Sequence, residues 1–207
     1  MDIIGICGLS SCGKSTLSRY INQCALDKQV SSHIIEMDCV FDDLKRSIFS
    51  KHIKYIPYDD STHICLNENP ITTSDQKIII QGYAFLRNIL VNILIKKELY
   101  ILKKEGYQLI IIEGVNLNHL NIPIDYRIKV TCDYSKRLVR KAKREHKSLV
   151  SEELDLADYR CKLTNLDDNV EYDFVYNNSG SLEDLEASAQ KIYKKYRLKK
   201  LHSKFNV

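Results

Sequence analysis

Residues 8–16 read Gly8-Leu9-Ser10-Ser11-Cys12-Gly13-Lys14-Ser15-Thr16, and this stretch decides how the rest of the chain is read. It is a G-x-x-x-x-G-K-S sequence, preceded by the apolar run Ile3-Ile4-Gly5-Ile6-Cys7 and followed by a helical pattern that carries Leu17, Tyr20 and Ile21. A strand, a glycine-bracketed loop and a helix in that order let the backbone turn tightly and aim successive N–H groups into the loop. The helix then presents its positive end to anionic oxygens. A polyphosphate suits such a loop, so Gly8, Ser10, Ser11, Cys12 and Gly13 are expected to cradle it. Lys14 reaches the β- and γ-phosphates as a point charge, and the Ser15 hydroxyl takes one position on a magnesium ion. Thr16 is expected to line the nucleotide side rather than touch metal.

At 207 residues and 24.0 kDa the chain has the length of a single α/β domain. Its net charge of +4 is mild and unevenly spread. Lys136, Arg137, Arg140, Lys141, Lys143, Arg144 and Lys147 crowd one stretch, and Lys194 to Lys204 crowd the tail. A local cluster on a nearly balanced chain points to phosphate rather than to a nucleic-acid groove. Seven cysteines (7, 12, 24, 39, 65, 132 and 161) are scattered without a C-x-x-C pair, as suits reduced thiols and no zinc site. Cys12, near a helix start, is either a reactive thiol or a small space-filler, the latter being the plainer reading. No apolar run approaches the roughly 18 residues of a membrane span, and the N-terminus opens on a strand pattern with no leader pattern. The expected setting is the cytoplasm.

After a first helix over about 14–26, a short strand in 31–38 delivers Asp38 at its carboxyl end. In a parallel sheet the ligand crevice lies there, which makes Asp38 the candidate catalytic base. Asp42 and Asp43 suit the start of a helix and read as structural. Residues 50–77, with Pro57, Pro70 and Asp59-Asp60, lack clear periodicity and read as a long irregular loop on the acceptor side. There Tyr55, Tyr58 and His63 either meet a ring or anchor packing. Ile79, Tyr83, Leu86, Leu90, Ile93, Leu94, Leu99 and Leu102 recur at helical spacing and predict one long helix over 75–104, stopped at Gly106 and bending near Gly82. Arg87 on its polar face is either a solvated charge or an acceptor contact.

The aliphatic run 107–112 predicts a strand buried on both faces and ends in Glu113-Gly114. An acid at this point either holds magnesium through its water shell or only caps a loop; beside Lys14-Ser15 the metal role is favoured, so Glu113 joins Ser15 as candidate metal ligand. Residues 125–132 alternate as a further strand and lead into a helix over 133–144. Its Arg137, Arg140 and Arg144, at i, i+3 and i+7, can be presented on a single face, which for an ordinary charge run is a solvated one. Residues 172–181 read as a last strand and turn, after which Ser181 caps a closing helix with Glu183 and Asp184 in its first turn. The Lys-rich end, 194–207, reads as a frayed basic tail on a domain of residues 1–193.

In this order, phosphate loop, strand-end Asp38, Glu113-Gly114, basic helix and Tyr172-Asp173-Phe174-Val175 resemble the P-loop small-molecule kinases. Ile35 to Leu44 and Ile111 to Val115 are similar to the uridine kinase and nicotinamide riboside kinase group. Residues 173–183 resemble the end of dephospho-coenzyme A kinases, and Gln81-Gly82-Tyr83 with Ile112 to Leu117 resembles 2-phosphoglycerate kinases. The resemblance implies a three-layer α/β/α P-loop NTPase fold with a mostly parallel sheet, a substrate-side insertion over about 50–77 and a helical basic lid over about 136–150. It further implies γ-phosphoryl transfer from magnesium-ATP to a hydroxyl of a small, nucleoside-like molecule. Asp38 would take the hydroxyl proton or orient its oxygen, while Lys14, Arg140 and Arg144 stabilise the transferred group and Arg137 contacts the nucleotide. A P-loop ATPase or regulatory nucleotide binder is the alternative from another class; the guanine-reading N-K-x-D tetrapeptide of GTPases does not occur.

Overall fold

The computed structural model describes residues 1–37, 40, 53–58, 61–66, 69–70, 73–115, 117–145, 151, 154–155, 158 and 170–205, with side chains excepted over 53–87, at 145 and over 203–205. Along the chain come β1 (Asp2–Cys7), α1 (Lys14–Leu26), β2 (Ser32–Glu36), β3 (Ile53–Tyr58), β4 (Ser61–Leu66), β5 (Asn69–Pro70) and α2 (Thr73–Lys104). They are followed by β6 (Leu109–Glu113), a 3-10 turn (Leu117–His119), β7 (Tyr126–Thr131), α3 (Tyr134–Glu145), β8 (Phe174–Asn177) and α4 (Leu182–Phe205).

Five strands form a parallel sheet in the order β2-β6-β1-β7-β8. Its centre is aliphatic on both faces, as the unbroken runs in β1 and β6 require. One face packs Ile4, Ile6, Ile111 and Ile128 against Leu17 and Ile21 of α1 and Leu185 and Ile192 of α4. The other packs Ile3, Ile110 and Ile112 against Val91, Ile95 and Leu99 of α2. The result is the three-layer α/β/α arrangement expected. Register matters for the site: Glu113 pairs with Ile6 of β1 and with Glu36 of β2, so these strands end flush where the glycine loop begins.

Residues 53–70 differ from the irregular loop expected. They form a separate antiparallel sheet, β3-β4-β5, with Tyr58 opposite Ser61 so that only Asp59 and Asp60 separate the first two strands. Ile53 to Tyr58 and Ser61 to Leu66 are rich in β-branched and aromatic residues, and both prolines sit on the outer strands β3 and β5, where a missing N–H is tolerated. The long helix runs uninterrupted through Gly82.

The frayed tail is also corrected. Helix α4 continues to Phe205, and Tyr196, 5% exposed, donates to Asp2 at 2.5 Å. Lys199 pairs with Asp173 at 2.6 Å, and Lys200 pairs with Asp2. The lysines looked solvated, but their spacing leaves Ile192, Tyr193 and Tyr196 on one inner face that binds the end to the sheet. The cap at the other end of α4 is as expected: Ser181 N donates to Asp184 Oδ2 at 2.9 Å, and Asp184 N donates to Ser181 Oγ at 3.1 Å.

Candidate functional site

The glycine loop leaves β1 and enters α1 through three residues with positive φ, Gly8 (+153°), Ser11 (+61°) and Gly13 (+94°). At Gly8 an added Cβ would lie 2.2 Å from the Val130 carbonyl oxygen, because the loop starts against the backbone of β7. Gly8→Ala is therefore expected to cost about 2 kcal/mol or more of stability, from backbone strain and overpacking together. Urea unfolding measures this, and an unshifted midpoint would show that the loop does not need glycine there. Gly13 is the N-cap of α1, no side chain caps this helix, and its first turn holds no acid. The positive end of α1 thus has no cap from its own N-cap residue and no acid in its own first turn, which leaves the loop N–H groups for an external anion.

Lys14, 6% exposed, lies along the loop with Nζ 3.3 Å from the Leu9 carbonyl oxygen, to which it donates. Ser15 Oγ donates to Glu113 Oε1 at 2.6 Å, joining the first turn of α1 to the end of β6 across 98 residues. The two expected metal ligands therefore meet. A hydroxyl and a carboxylate are hard oxygen donors, and magnesium binds with one or two protein oxygens, completing its shell with water and phosphate. The residues fit that ion. No cluster of three or more His, Cys, Asp or Glu occurs among the described residues, so the donor set is not that of an all-protein cage.

A cleft of about 540 Å3 opens over the loop, lined by Ser10, Ser11, Gly13 and Thr16 and by Arg140 and Arg144 of α3. Thr16 and these two arginines thus stand on one cleft with the loop. Arg140 Nη1 also lies 3.2 Å from Cys132 Sγ. Arg137 differs. It is 3% exposed and does not line this cleft; Nε donates to the Ser10 carbonyl at 2.8 Å, and Nη1 and Nη2 donate to Asp158 at 2.8 and 2.5 Å. Seven residues of helix separate Arg137 from Arg144 by about 10 Å along the axis, so a shared face does not make a shared contact. The first turn of α3 abuts the loop itself, and a smaller cavity of about 240 Å3 beside Gly8, Leu9 and Cys12 is where Arg137 is found. Cys12 is 1% exposed and burial pushes its thiol above the usual range, which favours the space-filling reading.

Two residues escaped the sequence reading. Asn178, 2% exposed, donates from Nδ2 to the Cys12 carbonyl at 2.8 Å, and that nitrogen lies 2.2 Å from where a Gly13 Cβ would be. It follows directly on β8, so the strand-end rule that singled out Asp38 and Glu113 would have found it. Asp158 has no such signal. Asp38, Asp42, Asp43, Asp59 and Asp60, and the side chains of Tyr55, Tyr58, His63 and Arg87, lie outside the described residues.

A family model described as AAA domain matches residues 4–160. No curated protein is similar enough to match the chain. Among solved structures, TT1252 from Thermus thermophilus is 18% identical, with 94% of this chain and 97% of that chain covered and a TM-score of 0.55, a likeness of fold. A sugar kinase from Janibacter sp. HTCC2649 is 14% identical (94% and 95% covered, TM-score 0.47). A gluconokinase from Sinorhizobium meliloti 1021 is 12% identical (94% and 92% covered, TM-score 0.47).

Proposed function

Because the chain belongs to the AAA domain family, we propose that it is an ATP-dependent kinase that transfers the γ-phosphoryl group to a hydroxyl of a small molecule, a nucleoside of the uridine, cytidine or nicotinamide riboside type. The observation that carries this reading is the meeting of Ser15 with Glu113 beside a cleft that Lys14, Arg140 and Arg144 of the same chain line. Positive charge from Lys14, Arg140 and Arg144 at one cleft suits the charge that spreads over a phosphoryl group in flight. Assembly ATPases often take such an arginine from a neighbouring subunit; here both come in cis, which favours a self-contained transferase.

In this reading the loop N–H groups and Lys14 hold the polyphosphate, and Arg140 and Arg144 neutralise its outer oxygens. Ser15 and, directly or through water, Glu113 would hold a magnesium ion, which would supply further charge neutralisation. The acceptor oxygen forms a new bond to the γ-phosphorus as the bond to the β-phosphate oxygen breaks. The hydroxyl proton passes to Asp38, and ADP leaves. Asp38 lies two residues beyond the end of β2, the strand in register with Glu113. Asp38→Asn is expected to lower kcat by about 10^2-fold or more while ATP affinity changes far less. Wild-type turnover in this variant would remove the base assignment.

One screen tests the proposal: ADP release from ATP in the presence of uridine, cytidine, nicotinamide riboside, dephospho-coenzyme A or 2-phosphoglycerate. Stimulation by one of the three nucleosides is the expected result. Stimulation by either of the others would replace the acceptor. Release that no acceptor stimulates would favour the ATPase, a reading the family description keeps in play.

A further inference from the structure

Two carbonyl oxygens of the phosphate loop are held by side chains from distant elements. Arg137 of α3 holds Ser10 O from 127 residues away, and Asn178, just past β8, holds Cys12 O from 166 residues away. Both side chains are buried, at 3% and 2% exposure. A trans peptide is planar, so its C=O and the following N–H point in opposite directions. Tying Ser10 O therefore sets the direction of the Ser11 N–H, and tying Cys12 O sets that of the Gly13 N–H. Ser11 and Gly13 are residues of left-handed φ, alternating with ordinary ones as in an anion-binding nest. Around such residues a peptide plane can rotate and present an oxygen where an N–H belongs.

We propose that Arg137 and Asn178 are positioning residues of the phosphate loop: by holding the Ser10 and Cys12 carbonyls they keep the Ser11 and Gly13 N–H groups turned to the polyphosphate, and Asp158 sets Arg137 for this task. The inference rests on the nucleotide-site reading and deepens it. The fork geometry explains the residue type. Only a guanidinium can donate to a carbonyl through Nε while its two terminal nitrogens grip a carboxylate; an ammonium cannot span both partners. A second described residue beyond α3, Asp155, accepts from Tyr134 Oη at 2.6 Å.

The test measures binding of ADP and of inorganic tripolyphosphate to the full chain, with the unfolding transition of the unliganded protein alongside. Arg137→Lys is expected to weaken both ligands about tenfold, the usual scale for losing a charge-assisted hydrogen bond. Asn178→Asp should weaken them further, because it sets a carboxylate against the Cys12 carbonyl and beside the anion. Asp158→Asn, further from the loop, should weaken both several-fold in the wild-type background and add nothing to Arg137→Lys. If Arg137→Lys fails to fold, Asp158→Asn alone decides, since its side chain is 18% exposed and the carboxamide keeps the shape. A residue that served only global stability would lower the unfolding midpoint and leave the affinity of the folded protein unchanged. Wild-type affinity in Asp158→Asn, or in folded Arg137→Lys and Asn178→Asp, overturns the positioning role. A wild-type chain that binds neither probe overturns the nucleotide-site reading and this inference with it.

Discussion

Replacing Lys14 by alanine is expected to lower phosphoryl transfer by about 10^2- to 10^3-fold, the usual cost of removing one preorganised group from the developing charge of a transition state. The side chain is almost wholly buried along the loop, and its amine donates to the Leu9 carbonyl over a long 3.3 Å. A phosphate oxygen is a better acceptor and would take that amine over. Alanine is the strongest helix former and would stand at the first position of α1, so folding should survive. Charge on the transferred group grows towards the transition state, so turnover should fall by more than ADP affinity does. Coupled ADP release and thermal unfolding together check this. Undiminished turnover in a folded Lys14→Ala protein would mean that the loop is not the seat of the chemistry.

Glu113→Gln carries the second large effect. The amide keeps an oxygen for the Ser15 hydroxyl and nearly the same shape at a position 3% exposed, so the end of β6 should not move. What disappears is the negative charge that the proposed function sets towards a magnesium ion. Turnover at fixed magnesium should fall by about 10^2-fold, and the magnesium concentration for half-maximal activity should rise by about tenfold or more. Affinity for ADP without magnesium should stay the same or improve, because a like charge is removed from the polyphosphate's surroundings. An unchanged magnesium titration would reduce Glu113 to a partner of Ser15 that fixes the first turn of α1.

The parts of the site that were legible in the sequence are those written within a few residues. Gly8, Gly13, Lys14 and Ser15 announce themselves because a tight anion loop leaves little choice of residue, and the aliphatic run ending in Glu113 because a strand buried on both faces must be apolar until it reaches the crevice. Pro57 and Pro70 misled for a complementary reason. Proline argues against a central strand, yet a three-stranded sheet has two outer strands, and local pattern does not say which strands are outermost. The lysines beyond residue 193 concealed the end of an inner face for a similar reason: charge was dense enough to mask Tyr196, which continues the apolar spacing of Leu185, Ala189 and Ile192.

Sequence by itself determined that an anion-binding loop stands between a strand and a helix, and that an acid and a row of arginines follow in a fixed order along the chain. Only the tertiary structure decided their partners. Glu113 meets Ser15, Arg137 turns to the loop's own carbonyl while Arg140 and Arg144 line the cleft, and Asn178 arrives from the last strand. The physical reason is that backbone periodicity and loop sterics act over a few residues, whereas a contact across 98, 127 or 166 residues depends on strand order and register, which every element of the sheet settles together.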